Sequence, residues 1–441
     1  MEKVDVIAIV DIGKTNKKFY LFDETTGEVL EKSSTRFDEI QDDDGFPSDD
    51  LSGIEKWVKK EVLDALSNSL YRVKKMNFSG YGASLVYLDG DGKRVPVFYN
   101  YLKPYPDDII DQFFSKYGPQ QRFCTETSSP YLGMLNSGLQ LYWLKYAKPD
   151  IFKRVRYVLH FPQYLSYIFS GKPISEYTSI GCHTGLWDFT KGDYHLWVYK
   201  EGLVELFPPI VHSDTEEMVD ISGYKVKVGR GLHDSSASLI PYLKSESEPF
   251  LLLSTGTWSI CLNPYSNDQL SENDLARDCL NLLRIDGGQV RVARLFLGKE
   301  YEELEEKICQ KYSVSRKEVQ KLEWDIKLFR VMSSVSPVKF KLNYLAEVAT
   351  VDNVKDRLEH QTYSWELEYY QMMNQLTDLQ IEAIKLASGT NMPGKIIIEG
   401  GFISNQVFVE MLRLKMPELN VQVSQLPSGS ARGVFEMSNS I

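Results

Sequence analysis

Four short stretches of this chain combine carboxylates, small hydroxyls and glycines in patterns that suit phosphate and proton chemistry. The first is Asp11-x-Gly13-Lys14-Thr15-Asn16-Lys17, set between the apolar runs Val6–Val10 and Phe19–Phe22. A tight turn of small residues lets successive backbone N–H groups converge on an anion, and an adjacent carboxylate holds Mg²⁺ through water. Asp11 is placed for the metal; Gly13, Lys14, Thr15, Asn16 and Lys17 are placed for the phosphate. An ordinary hairpin with a solvated basic tip fits the stretch as well. The second stretch, Ser254-Thr255-Gly256-Thr257, repeats this arrangement after a strand-like run from Phe250. Two such turns facing each other would clamp a polyphosphate from both sides.

In the third stretch, Gly229–Leu239, Asp234 stands among glycines and hydroxyls. A carboxylate on such a loop suits a general base. It suits equally an N-cap for a helix starting at Ser235, and the two roles are compatible. The fourth stretch runs from Glu399 through Gly400, Gly401 and Ser404 to Asn405, after the strand-like Lys395–Ile398. Glycines after a strand, with Ser404 capping the next helix, make a flat platform for a base or ribose. Asn405 would hydrogen-bond that ligand.

Two lookalike motifs fail on context. Gly13-Lys14-Thr15 imitates the end of a P-loop, but Ala8 occupies the first glycine position and a strand follows where a helix is required. Gly80-x-Gly82 lacks the third glycine of a dinucleotide fingerprint and leads into the extended run Leu85–Leu88. The small residues from Ser79 to Ser84 instead let a substrate approach the backbone. Of the six histidines only His233, beside Asp234, is suggestively placed.

The elements that hold these stretches alternate. Strands are expected at Val73–Phe78, Leu85–Leu88, Tyr157–His160, Lys395–Ile398 and Val421–Val423, besides the two strand–turn–strand units. Helices are expected at Gly53–Leu70 with Ser52 as cap, at Ser137–Ala147, and at Pro162–Phe169 ending at Gly171. Two more are expected at Tyr301–Leu322 and from the Ser364 cap to Ala387, with Gly389 as stop.

At 441 residues, 43% hydrophobic and 25% charged, the chain is long enough for two or three domains with large cores. The lobe boundary falls most naturally near Pro241–Glu248. A net charge of −11 argues against nucleic acid as a partner. The five cysteines are scattered without a C-x-x-C pair, which suits reduced thiols in a cytoplasmic protein rather than disulfides or zinc. The first ten residues carry acidic side chains and lead into a strand, unlike a signal peptide. No apolar run approaches the ~20 residues of a membrane helix.

Three of these stretches, Asp11–Lys17, Ser254–Thr257 and Glu399–Asn405 in this order, resemble the FGGY family of carbohydrate kinases, within the actin-like ATPase superfamily. Asp11-x-Gly13 resembles the first phosphate motif, Ser254–Thr257 the second, and Glu399–Asn405 the adenosine motif. His233-Asp234 to Ala237 resembles the loop of the catalytic aspartate, and Thr178–Asp188 the segment before it. Phe78–Asp89 is similar to the substrate strand of the rhamnulose and fuculose kinases, and Asp286-Gly287-Gly288 through Gly298 to their second lobe. Ser84 replaces an Asp usual there, Leu232 a Gly, and Asn100 falls near an Arg of many relatives. The tail from Gly429 lacks the usual Glu and Ala-Ala.

The resemblance implies an α/β fold of two actin-like (ribonuclease H-like) lobes around a central ATP/sugar cleft. Residues 1–244 would form the sugar-binding lobe and 245–441 the nucleotide-binding lobe. It implies a kinase that moves the γ-phosphate of ATP, with Mg²⁺ on Asp11, to a hydroxyl of an L-rhamnulose-, L-fuculose- or xylulose-like ketose. Asp234 would be the base, with Tyr81, Gly82, Ala83, Ser84 and His233 on the sugar. Gly13–Lys17, Thr255, Gly256, Thr257, Gly400, Gly401, Ser404 and Asn405 would bind ATP. The partners would be sugar and nucleotide, with no nucleic acid and no membrane, in a monomer or homodimer. A catalytically weak sugar-kinase-like sensor is the alternative.

Overall fold

The computed structural model describes residues 3–335, 339–345, 364–426 and 429–439. The first hairpin is β1 (Val4–Ile12) and β2 (Lys17–Asp23), followed by β3 (Val29–Thr35). α1 spans Leu51–Ser67 and presents Leu51, Ile54, Val58, Val62 and Leu66 inward. Its cap is Asp50, whose carboxylate accepts from the Gly53 amide at 2.9 Å. The helix therefore begins two residues before the expected Gly53. Ser52, the expected cap, instead receives the Arg94 guanidinium at 2.7 Å. β4 (Tyr71–Gly80) returns beside β1, and α2 (Phe161–Ser170) stops at Gly171, which takes the left-handed conformation. β5 (Glu217–Ile221), β6 (Tyr224–Val228) and the short β7 (Leu232–His233) complete a sheet of order β5-β6-β4-β1-β2-β3, with β7 also on β4. α3 (Asp234–Ser238) follows directly.

Register aligns the chemistry of this sheet. β1 and β4 are parallel with Asp11 opposite Ser79 and Ile12 opposite Gly80. β7 is parallel to β4 with Leu232 opposite the same Ser79 and His233 opposite Gly80. The C-terminal ends of β1, β4 and β7 thus finish together, which is where open α/β sheets present ligand sites.

The second sheet is built likewise. β8 (Leu251–Thr255) and β9 (Ser259–Asn263) form the second hairpin, and β10 (Cys279–Leu283) pairs with β11 (Gln289–Leu295). α4 (Leu297–Tyr312) ends at Ser313, which has a φ of 54°. The expected helix through Leu322 breaks there because Ser315 and Glu318 form a capping box that opens the short helix Arg316–Val319. α5 (Trp365–Ser388) is capped by Ser364 and ends at Gly389, as its pattern indicates. β12 (Lys395–Gly400), α6 (Gln406–Lys415) and β13 (Asn420–Val423) give the order β10-β11-β9-β8-β12-β13. α7 (Ser430–Asn439) then leaves the second sheet and packs on the first.

β1 shows why the run Val6–Val10 is apolar at every position. Val6, Ala8, Val10 and Ile12 join the core that includes α1, while Ile7 and Ile9 join Phe22, Val434 and Phe435 of α7 on the other face. A strand covered on both faces reads as a continuous hydrophobic run. Each buried Val, Ile or Phe side chain among them contributes about 1.5–3 kcal/mol by burial.

Candidate functional site

The site has two parts, one at the end of each sheet. On the first sheet the β1–β2 turn is closed by the Gly13 amide donating to Asn16 O at 3.0 Å. Asp11 is almost fully buried, with Lys18 Nζ 3.6 Å from Oδ2 and the Ser430 hydroxyl donating to Oδ1 at 2.6 Å. Burial raises the Asp11 carboxyl above its usual range, and the charge of Asp234 adds to this; the Ser430 bond and Lys18 oppose it. The Asp11 carboxyl, near enough to Asp234 to feel its charge, offers oxygen donors of the kind that fit a hard divalent cation keeping several waters. By contrast, the acidic cluster Asp42, Asp43 and Asp44 is already neutralised by Lys103 and Lys148.

Asp234 is the first residue of α3. His233 is the N-cap residue, and the Ser235 amide donates to Asp234 Oδ1 at 2.6 Å. The helix therefore starts one residue earlier than expected. Burial lifts the Asp234 carboxyl to about 6, against the pull of the Ser235 amide and hydroxyl. About a third of the side chain still meets solvent. His233 Nε2 lies 3.2 Å from Asp234 Oδ1 and 3.0 Å from Cys182 Sγ. Burial pushes this imidazole down to about 4, so it is neutral at pH 7. The carboxylate oxygen can only accept, so the tautomer protonated on Nε2 satisfies the contact.

The stretch Thr178–Phe189, uninformative by itself, holds this arrangement. Thr178 Oγ1 accepts from the His233 amide at 3.0 Å and donates to Glu176 at 2.6 Å. Gly82 lies so close that a Cβ there would stand 2.4 Å from Cys182 Sγ and 3.2 Å from the His233 ring. Ala83 takes a φ of 62°, and Ser84 is buried with its carbonyl accepting from the Phe161 amide. Neither Thr178 nor Cys182 stands out by residue type, because a lone hydroxyl or thiol carries no spacing signal.

The lysines of the first turn are not left open for an anion. Lys14 Nζ bonds Asp49 at 2.6 Å and Glu39 at 3.2 Å. Lys17 is buried with its Nζ on Lys14 O at 2.7 Å and 3.5 Å from Asp49. Tyr81 donates its hydroxyl to the same Asp49 at 2.9 Å. What the turn offers a phosphate is therefore its backbone, and Asp49 is a member of the site that the motif does not contain. Asn100 donates to Pro47 O and Glu39, within the same cluster.

On the second sheet, Thr255 pairs with Gly400 across β8 and β12. The two motifs, far apart in sequence, thereby meet. Thr255 is buried and clasps them, donating to Glu399 O and accepting from the Phe402 amide at 3.0 Å. Gly400 has a φ of 88°, and a Cβ there would be 1.9 Å from Thr255 O. A cavity of about 450 Å³ opens beside them, lined by Gly256, Thr257, Gly401, Ser404 and Asn405 together with Gly298, Tyr301, Glu305, Arg316 and Tyr369. The volume is of the size that takes a small ligand such as a nucleoside. Tyr301 donates to Glu305 at 2.9 Å, and burial raises the Glu305 carboxyl. Asn405, not Ser404, caps α6, accepting from the Phe408 amide at 3.1 Å. Its Nδ2 donates to Tyr369 at 2.9 Å, so both ends of the amide are engaged and it frames the cavity wall. The lining residues of α4 and α5 read in sequence as ordinary faces of long helices.

The two parts meet across the lobes. Ser236 of α3 donates to Leu283 O at 2.9 Å, tying the helix of Asp234 to the edge strand β10.

Two α/β sheets, each with a strand–turn–strand unit and joined through α3 and α7, define a two-lobed, actin-like fold. Residues 6–238 match the family model described as the N-terminal domain of the FGGY family of carbohydrate kinases, and residues 247–340 match the Carbohydrate kinase FGGY C-terminal domain. The chain belongs to the FGGY family of carbohydrate kinases. It is 23% identical over 261 residues to a rhamnulokinase of Oceanobacillus iheyensis, covering 57% of this chain and 54% of that protein. A rhamnulokinase of Halalkalibacterium halodurans is 24% identical over 261 residues, 56% of this chain and 52% of that one. The chain thus spans about half the length of the curated relatives it matches. A carbohydrate kinase structure from Novosphingobium aromaticivorans superposes with a TM-score of 0.82 at 24% identity, covering 99% of this chain and 91% of that one. A xylulose kinase from Lactobacillus acidophilus gives 0.76 at 14% identity, covering 99% and 89%. Among the described residues no helix is long and apolar enough to cross a membrane.

Proposed function

We propose that this protein is an ATP-dependent carbohydrate kinase that phosphorylates a hydroxyl of a ketose or deoxyketose of the L-rhamnulose, L-fuculose or xylulose kind. The observation that carries the reading is Asp234, with a carboxyl lifted to about 6, on the same sheet end as Asp11. A base with that pKa is ionised at neutral pH yet basic enough to take a hydroxyl proton. Family membership and the rhamnulokinase relatives support the reaction class.

In this reading the sugar lies against Gly82 and His233, and Asp234 accepts the proton of its hydroxyl as that oxygen attacks the γ-phosphate in line. The neutral His233 orients the Asp234 carboxylate through Nε2. Adenosine occupies the cavity between Tyr301 and Gly401, and its phosphates run toward Gly256–Thr257 and the backbone of Gly13–Asn16. Asp11 would hold Mg²⁺ through water, and the ion would neutralise phosphate charge. Positioning and charge stabilisation then supply most of the acceleration. The two lobes, divided near residues 244 and 245 with α7 returned to the first, would close over the substrates.

The test is ADP release from Mg-ATP over a panel of ketoses and deoxyketoses, with wild type beside Asp234→Asn. One sugar should stimulate turnover, and the variant should lose about 10²–10⁴-fold. Nucleotide binding without any sugar-dependent ADP release would replace the kinase by a sensor.

A further inference from the structure

Asp11 is held from the far end of the chain. Ser430, the first residue of α7, donates its hydroxyl to Asp11 Oδ1 at 2.6 Å, whereas Lys18 Nζ stands 3.6 Å from Oδ2 and the Ser79 hydroxyl also acts on the carboxylate. The approach of α7 is built into its sequence. Gly433 lies against α3 so closely that a Cβ would stand 1.8 Å from Ala237 O. Phe435 stacks on Phe22 of β2 with ring centroids 4.6 Å apart. Ser438 accepts from Asn77 Nδ2 of β4 at 3.0 Å. The helix is therefore locked against β2, β4 and α3, and its first hydroxyl reaches the one carboxylate of the β1 turn. Such outer partners orient carboxylates that face metal ions.

We propose that Ser430 is a positioning residue for Asp11, fixing Oδ1 so that Oδ2 is the oxygen offered to the divalent cation; this rests on the kinase reading for the cation's presence. The hydroxyl itself touches neither nucleotide nor sugar. Its removal leaves the carboxylate free to rotate, so cation affinity falls while the sugar and adenosine pockets stay intact.

The experiment compares wild type with Ser430→Ala, Ser430→Thr and Ser430→Val. Mn²⁺ replaces Mg²⁺, and binding is titrated by electron paramagnetic resonance at saturating ADP; kcat and the sugar KM are measured in parallel. Thr keeps the hydroxyl and Val keeps the shape of Thr without it, so this pair decides even where Ala disturbs the fold. Ser430→Ala and Ser430→Val should weaken Mn²⁺ binding roughly ten- to hundredfold, lower kcat at limiting metal, and leave the sugar KM unchanged. Ser430→Thr should behave as wild type. Equal Mn²⁺ affinity in all four proteins overturns the proposal, as does a wild type that binds no Mn²⁺. A wild type that binds Mn²⁺ but phosphorylates no sugar sinks the kinase reading, and the titration still judges Ser430.

Discussion

Asp11 and Asp234 share one end of one sheet. Asp11 pairs in register with Ser79, and Leu232, two residues before Asp234, pairs with the same Ser79. Strands in a sheet are about 4.8 Å apart, so two steps across β4 bring a phosphate turn and a base loop to substrate distance. The pH behaviour of the protein follows from that juxtaposition.

The acid limb of kcat/KM should fall at about pH 6, where burial has lifted Asp234. The base works only when ionised, so activity declines as pH drops through this value. His233, pushed down to about 4, stays neutral over the same range and adds no limb there. A pH–rate profile with its limb near the ordinary aspartate range of ~4 would remove Asp234 from the role.

Asp234→Asn should stabilise the protein at pH 8 while lowering turnover by about 10²–10⁴-fold. The folded state holds the Asp234 proton more tightly than the unfolded chain, so the ionised side chain opposes folding above pH 6 and costs nothing below the unfolded value. Full burial would make the cost about 3 kcal/mol; the exposed third of the side chain reduces the expected gain to about 1–2 kcal/mol. Denaturant melts should show the gain at pH 8 and its disappearance near pH 4.

Gly298→Ala should injure nucleotide use and spare the sugar pocket. A Cβ at Gly298 would lie 1.9 Å from Gly256 O, so α4 must shift away from the second phosphate turn. A displacement near 1 Å costs about 10²-fold in kcat/KM. Calorimetry should show weakened ADP binding.

Asp49→Asn tests the polar cluster under the first turn. Lys17, buried and already pushed down by burial, would lose its counter-charge. Leaving a buried cation unpaired costs about 3 kcal/mol, which chemical denaturation at pH 7 should detect. In that variant the folded state releases the Lys17 proton before the unfolded chain does, so stability should recover as pH rises. An unchanged midpoint of unfolding at both pH values would mean that Lys17 finds its partner elsewhere.

Much of the architecture is legible in consecutive residues. Asp11-x-Gly13, Ser254–Thr257 and Glu399–Asn405 are local because a turn chooses its small residues locally. α5 is bounded by Ser364 and Gly389 for the same reason, since caps act on their own backbone. Where a helix start has competing capping residues, local reading slips: Asp50 displaces Ser52, and Asn405 displaces Ser404.

The sequence by itself determined two hairpin turns, a base-bearing loop, a glycine platform and the α/β order that carries them, because each is set by neighbours in the chain. Only the tertiary structure decided which groups face each other. Strand register joined Asp11 to Asp234 and Thr255 to Gly400. Folding turned Lys14 and Lys17 onto Asp49, set Cys182 against His233, and brought Ser430 back to Asp11. Those partners lie tens to hundreds of residues apart, and no local propensity selects among them. Burial does, since a charge or donor taken out of water must find its counterpart wherever the fold places one.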